Sequence, residues 1–253
     1  MRITLTGTGA AGGIPLYGCH CSLCIAARVD NVLCRKPASA LVESGETRLL
    51  IDAGLMDLDK RYPAGSLSAI LLTHYHPDHV QGLFHLRWGT GITLPVYGPD
   101  DPMGCADLFT HPGILIFNTL IPFKPISLGS MTITPLPMTH SKPTFGYAIA
   151  SESKRVAYLC DTTSLAHDSL DFITDFAPQI LVVDCTDPPG GSARNHHTLE
   201  TVLNDTQRIK AKVSVLTHIG HDLGKALFDG SIHPPTGITV GFDGWISDCN
   251  CGR

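Results

Sequence analysis

Short apolar runs, broken by glycine, proline, serine and aspartate, recur along nearly the whole chain. RITLTGT, ASALVES, TRLLIDAG, SAILLTH, LPVYG, MTITPLPM, FGYAIAS, RVAYLCD, QILVVDC, KVSVLTHI and GITVGFDG each read as a strand. Helical periodicity is clearest over 164–177 (SLAHDSLDFITDFA) and 197–210 (HTLETVLNDTQRIK), with shorter candidates after His79 and around 104–110. Helices thus punctuate strands without alternating strictly with them. No linker, charge block or long internal repeat divides the chain. The pattern predicts one α/β domain over 1–253, two mixed sheets stacked face to face with helices outside.

Several of these runs end in a metal-ligand type of side chain: LLTH at His74, LPMTH at His140, AYLCD at Asp161 and VLTH at His218. Strand ends gathered at one edge would bring them together on a rigid scaffold. The densest stretch is LLTHYHPDHVQGL, which holds His74, His76, Asp78 and His79 within six positions. Imidazole and carboxylate are the usual ligands of divalent transition metals. Alternate residues of an extended segment share a face, so His74 and His76 could grip one ion, while Asp78 and His79, past the turn, reach a second.

THYHPDH followed by His140, Asp161 and His218 resembles the metallo-β-lactamase superfamily. The resemblance implies an αββα sandwich and a two-metal hydrolytic site. It implies that His74, His76 and His140 hold one ion, that Asp78, His79 and His218 hold the other, and that Asp161 bridges them. Asp78 counts there as a catalytic group as well as a ligand. Histidine at 79, where the β-lactamases of this fold commonly carry arginine, disfavours antibiotic hydrolysis. A narrower likeness spans residue 3 to about 244. It rests on LTGTGAAGGIPLYGCHCSLC, LLTHYHPDHVQGLFHLRWG, PLPMTHSKPTFGY, RNHH, LTHIGHD and GFDG, and is to the cyclic phosphodiesterases of the carbon–phosphorus lyase pathway of phosphonate catabolism. It implies hydrolysis of a small cyclic phosphodiester, 5-phosphoribosyl 1,2-cyclic phosphate opened to ribose 1,5-bisphosphate, with 2',3'-cyclic nucleotides as related substrates.

CHCSLC supplies Cys19, Cys21 and Cys24 as thiolates for one tetrahedral, structural Zn²⁺. The family resemblance implies His221 as the fourth ligand, with His20 a rival. Cys34, Cys105, Cys160 and Cys185 are expected in the core, and the tail cysteines Cys249 and Cys251 carry no functional reading. Nine cysteines and no export signal argue against a disulfide framework. In SARNHHTLETVL, Arg194 could fork onto a phosphate, and His196 or His197 could protonate a leaving oxygen at a helix start. By the resemblance His196 is the general acid. Lys142, beside His140, is a weaker candidate for phosphate contact. LTGTGAAGG lacks a Lys-Ser/Thr ending and is no phosphate loop. His85, Arg87 and Trp88 read as packing and surface charge.

A mixed histidine and carboxylate set suits Mn²⁺, Zn²⁺ or Fe²⁺, with manganese favoured for the pair. Charged residues are 16% of the chain and the net charge is -5, which disfavours large nucleic acids as partners. The apolar runs are too short to span a bilayer, so a cytoplasmic protein acting on a small molecule is expected. A homodimer is compatible with all of this. The rivals are a tRNA 3'-processing nuclease of the same fold, a cofactor-biosynthesis relative with a cysteine cluster near its start, and a non-catalytic metal-binding or redox-sensing module.

Overall fold

The structure, a computed structural model, describes residues 1–152, 154–192 and 194–248, so Cys249 and Cys251 lie outside the described residues. Among the described residues fourteen strands, numbered in chain order, form two sheets of seven. The first holds β1 (Arg2–Gly7), β2 (Ser39–Ser44), β3 (Thr47–Ile51), β4 (Ala69–Leu71), β5 (Leu94–Gly98) and β6 (Leu115–Thr119) in that spatial order. The second holds β7 (Ile126–Leu128), β8 (Met131–Pro137), β9 (Phe145–Ser151), β10 (Lys154–Leu159), β11 (Ile180–Asp184), β12 (Val213–Thr217) and β13 (Ile238–Val240). Strand β14 (Ile246–Asp248) returns to the first sheet beside β1.

Each sheet is antiparallel on one side and parallel on the other. In the first, β14 to β3 pair antiparallel and β3 to β6 parallel. In the second, β7 to β10 pair antiparallel and β10 to β13 parallel. Parallel strands need crossovers, and those crossovers put helices on the outer faces.

Strand periodicity decides which side chains go where. Ile3, Leu5, Val42, Leu49, Ile51 and Leu71 pack between the sheets against Ile133, Tyr147, Ile149, Tyr158, Val182 and Val215. The intervening Leu50, Ile70 and Leu72 face outward, where Leu58, Val80, Leu83 and Leu108 cover them. Leu159, Leu181 and Val183 do the same on the other side beneath Leu170, Ile173, Val202 and Ile209. Central strands are therefore buried on both faces, as β11 is along its whole length. The expected αββα sandwich of two mixed sheets is the fold observed.

Three strands escape the sequence pattern, and all three are edge strands: β6, β7 and β14. An edge strand with a partly exposed face, as in β6 and β7, has no strong apolar alternation to read. Helices Ser22–Ala27 and Leu58–Arg61 are under two turns long. Helix His221–Phe228 is obscured in the sequence by Gly224, where the helix packs closely on Ile14, whose Cδ1 would lie 2.6 Å from a Cβ. The core expectation for the scattered cysteines is corrected in part. Cys160 and Cys185 are fully buried, but Cys34 and Cys105 are only half-buried. Cys34 turns to the Ala27 carbonyl at 3.2 Å, at the edge of the small cluster around Ile14. Among the described residues no helix is long and apolar enough to cross a membrane.

Candidate metal centre

The chemistry gathers at one edge of the sandwich, where strands end. His74 and His76 leave the end of β4, and Asp78 and His79 sit on the single-turn helix Pro77–Val80, with Pro77 at its first position. His140 follows β8, Asp161 follows β10 and His218 follows β12. Open α/β sheets bind ligands outside the carboxyl ends of their strands. Gly54, after β3, allows the Pro77–Val80 turn to pack down, since a Cβ there would lie 1.7 Å from the Asp78 carbonyl oxygen.

All seven ligand candidates converge. His76 Nδ1 lies 2.8 Å from His74 Nε2 and 3.2 Å from His140 Nε2. His79 Nε2 is 3.3 Å from both Asp78 Oδ2 and Asp161 Oδ2, and His218 Nε2 is 3.3 Å from Asp161 Oδ2 and 3.8 Å from Asp78 Oδ2. Asp161 Oδ2 also reaches to 3.8 Å from His74 Nε2, so it lies between the two groups. His79 Nε2 and His218 Nε2 are buried yet make no hydrogen bond. Buried polar atoms normally have partners, and lone pairs converging at ligand-to-ligand spacing fit divalent ions.

The opposite ring nitrogens are each tied down. His79 Nδ1–H donates to Asp52 Oδ2 at 2.8 Å. The Thr73 hydroxyl donates to Asp52 and accepts from His74 Nδ1–H at 3.0 Å. His140 Nδ1–H donates to the Asn195 carbonyl at 2.9 Å, and His218 Nδ1–H to Thr186 Oγ1 at 2.8 Å. These partners fix the tautomers that turn Nε2 inward. Asp52, Thr73 and Thr186 were not singled out from sequence. For Asp52 the signal was present, because TRLLID is a strand run ending in aspartate just as AYLCD is.

Electrostatics divides the histidines. Burial, reinforced by the charge of His79, pushes the His74 imidazole well below its ordinary range. Burial also lowers His76 and His140. For His79 burial works the same way, but the charges of Asp52 and Asp161 outweigh it and raise its pKa well above the ordinary value. Burial alone would raise the Asp161 and Asp78 carboxyls; the facing histidines reverse this and keep both far below the carboxylate range.

His196 and His197 part company. His196 stacks on the His218 ring at 4.5 Å between centroids and lies 5.2 Å from His140. Its Nδ1–H donates to Asp184 Oδ2 at 3.2 Å and passes 3.9 Å from Asp161 Oδ2. Burial disfavours the charged ring, but the Asp184 hydrogen bond and the Asp161 charge more than compensate, so its pKa is raised. His197 turns the other way, its Nδ1 at 3.1 Å from Thr201 Oγ1 and its Nε2 facing Asp205. Thr198 caps helix Leu199–Ile209 with a reciprocal Thr198–Thr201 pair, so the chain carries a capped helix start and a site histidine side by side. Asp184, the last residue of β11, was also missed, though QILVVD ends like the other ligand-bearing strands.

The two phosphate-contact candidates lie outside this cluster of contacts. Arg194 is exposed, one residue from Asn195. Lys142 Nζ is 3.4 Å from Asp101 Oδ2. His85 is exposed beside Asp59, and Arg87 pairs with Asp107 beneath the Phe84 and Trp88 rings.

A second cluster joins Cys19, Cys21, Cys24 and His221, their ligand atoms all within 4.8 Å of one another. His221 Nε2 stands 3.4 Å from both Cys19 Sγ and Cys21 Sγ. Backbone N–H groups of Leu16, Cys21 and Cys24 point at the three sulfurs. The Cys24 N–H, opposed by burial and helped by His221, draws the Cys21 thiol down to about 6. Three sulfurs and one nitrogen at this spacing fit a closed tetrahedral Zn²⁺ site. His20 is exposed. The glycine-rich turn after β1 lies between the two clusters, with Gly9 bridged to Ile219 and to Pro37.

Known proteins agree with this geometry. Residues 47–219 match the beta-lactamase superfamily domain. An octanoyltransferase of Porphyromonas gingivalis is 29% identical over 96% of this chain, which spans only 51% of that protein's length. YhfI of Bacillus subtilis, a probable metallo-hydrolase, is 27% identical over 76% of this chain and 87% of its own. Among solved structures, a diphosphatase from the PhnP family superposes with a TM-score of 0.82 at 25% identity, covering 98% of this chain and 97% of that one. The chain belongs to the beta-lactamase superfamily, with the fold and the clustered donors of its metal-dependent hydrolases.

Proposed function

We propose that this protein is a PhnP-like, dinuclear metal-dependent phosphodiesterase acting on a small cyclic phosphodiester. The observation that carries the reading is a histidine, His196, held by its own carboxylate, Asp184, and stacked on one rim of seven converging donors. His74, His76 and His140 would hold one divalent ion, Asp78, His79 and His218 the other, with Asp161 between them. Manganese is the favoured ion and zinc or iron the alternatives. Cys19, Cys21, Cys24 and His221 would hold a structural zinc. Ions bound there would lower the pKa of water and neutralise phosphodiester oxygens.

The chain's own residues do the rest. A sugar alkoxide is a poor leaving group and needs a proton as the phosphorus–oxygen bond breaks. His196 supplies it: with Nδ1–H committed to Asp184, the Nε2–H is the one free to move, and Asp184 holds the ring in place. Arg194, exposed beside Asn195, is free to swing onto a terminal phosphate bidentately. Lys142 would help only by sharing its charge with Asp101. Likeness to a PhnP-family diphosphatase supports phosphoester chemistry, and 5-phosphoribosyl 1,2-cyclic phosphate is the proposed substrate. The net charge of -5 supports a small substrate over large RNA.

The test is a substrate panel with manganese supplied: the ribosyl 1,2-cyclic phosphate, 2',3'-cyclic nucleotides, a linear diester, precursor tRNA and a thioester, with products read by phosphorus NMR. Preference for the ribosyl compound is expected, giving ribose 1,5-bisphosphate. Cleavage of precursor tRNA ahead of every cyclic diester would overturn the substrate assignment.

A further inference from the structure

The cysteine cluster is built to react as well as to bind. Cys21 and Cys24 stand C-x-x-C at the start of Ser22–Ala27, Cys21 as the cap with its sulfur accepting the Cys24 N–H at 3.5 Å. Cys19 and Cys21 are half-exposed, whereas Cys24 is fully buried behind them. A small oxidant arriving from solvent can reach Cys19 or Cys21, and for Cys21 the C-x-x-C partner Cys24 lies within 4.8 Å, the arrangement of an attacked and a resolving cysteine.

The same cluster is mechanically joined to the metal centre. His221, 3.4 Å from Cys21 Sγ, is three residues from His218. Between them, Ile219 N–H donates to the Thr8 carbonyl at 2.8 Å and the Ile219 carbonyl accepts from Ala10 N–H at 3.1 Å. Gly220 N–H donates to the Thr186 carbonyl at 3.1 Å, and the Thr186 hydroxyl holds His218 Nδ1. His218 and His221 thus share one short backbone segment, pinned by Thr8, Ala10 and Thr186, so a shift of the His221 end is carried along that segment toward His218.

We propose that Cys21 and Cys24 form a peroxide-sensitive latch, whose oxidation expels the zinc and weakens divalent-ion binding at Asp78, His79 and His218. The proposal rests on the zinc and two-ion assignments above. The Cys21 thiolate attacks one peroxide oxygen; the O–O bond breaks, the sulfur is oxidised to the sulfenic acid, and the other oxygen leaves as hydroxide. The Cys24 thiolate then attacks that sulfur, an S–S bond forms and the S–O bond breaks with loss of a second hydroxide. Two electrons pass from two thiolates to one peroxide, both hydroxides are protonated to water by solvent, and Zn²⁺ is left with only Cys19 and His221.

Zinc per chain is measured first, by elemental mass spectrometry. The zinc-loaded protein is then treated with hydrogen peroxide, zinc release is followed with a chromogenic chelator, and disulfides are mapped on unreduced peptides. After removal of the freed zinc, Mn²⁺ is titrated by calorimetry. The expected result is one zinc freed per chain with a Cys21–Cys24 disulfide, reversed by dithiothreitol and zinc, and Mn²⁺ affinity at the weaker position lowered about tenfold. Cys34→Ser, outside the cluster, should behave like wild type. Protein with no cysteine-bound zinc at the outset would remove the zinc assignment, and the latch with it. Zinc that is present but survives peroxide, or oxidation confined to other cysteines, would overturn the latch alone. Zinc release with unchanged Mn²⁺ affinity would overturn the link to His218.

Discussion

At the scale of single residues, the site consists of candidate ligands and the groups that aim them. Asp52 touches no ion-facing atom, yet it fixes His79 directly and His74 through Thr73. Asp52→Ala is expected to weaken metal binding about 10- to 100-fold, read by calorimetric titration of metal-stripped protein. Asp184 serves His196 instead. Asp184→Asn and His196→Gln should each lower turnover roughly 10²- to 10⁴-fold, with metal content per chain unchanged and the double variant little worse than either alone. Loss of metal from Asp184→Asn would assign that carboxylate to the metal set instead. The ligand-type residues were legible in the sequence because they crowd at strand ends, and His196 and His197 were legible as candidates beside a helix start. Their aiming partners were not: a threonine or a backbone carbonyl next to a histidine carries no signature until the fold sets the distance. Which of the two rings faces the donor cluster also needed the fold, since the helix start at Thr198 sends them in opposite directions.

At the scale of elements, position follows from how strand ends and short turns pack. The single-turn helix Pro77–Val80 delivers two ligand candidates and lies against Gly54 with no room for a side chain. Gly54→Ala would place a methyl group 1.7 Å from the Asp78 carbonyl oxygen, so the turn must shift. The Asp78–His79–His218 group, two of whose members ride on the turn, should lose more affinity than the three-histidine group, whose His74 and His76 precede the turn and whose His140 follows β8. Metal counting on the folded variant checks this, and two full equivalents retained would show that the turn is adaptable. The central strands were read correctly because both their faces are apolar, while β6, β7 and β14 were missed because an edge needs little patterning. Helix His221–Phe228 was lost to the strand-like run before it and the glycine within it, although it carries a cluster residue at its first position.

At the scale of the molecule, metal, proton and fold are linked. Only neutral imidazole coordinates, so affinity must fall at both positions as pH falls. The windows differ. Burial keeps His74, His76 and His140 below the ordinary histidine value, so they are deprotonated at neutral pH and lose an ion only well on the acid side. Asp52 and Asp161 raise the His79 pKa well above that value against the effect of burial, so an ion bound there would compete with a proton over a wider range of pH. Acidification of the loaded protein should strip the Asp78–His79–His218 position first and the three-histidine position later, and a single step for both ions would contradict this. The central claim is metal-dependent phosphodiester hydrolysis at these seven residues. Its most direct test is a Mn²⁺ titration of metal-stripped wild type and Asp161→Ala, following turnover of a 2',3'-cyclic nucleotide. Wild type should gain activity that saturates as the pair fills, and the variant should stay inactive. A fully loaded wild type that leaves the diester intact, or an Asp161→Ala protein that cleaves it equally well, would contradict the account.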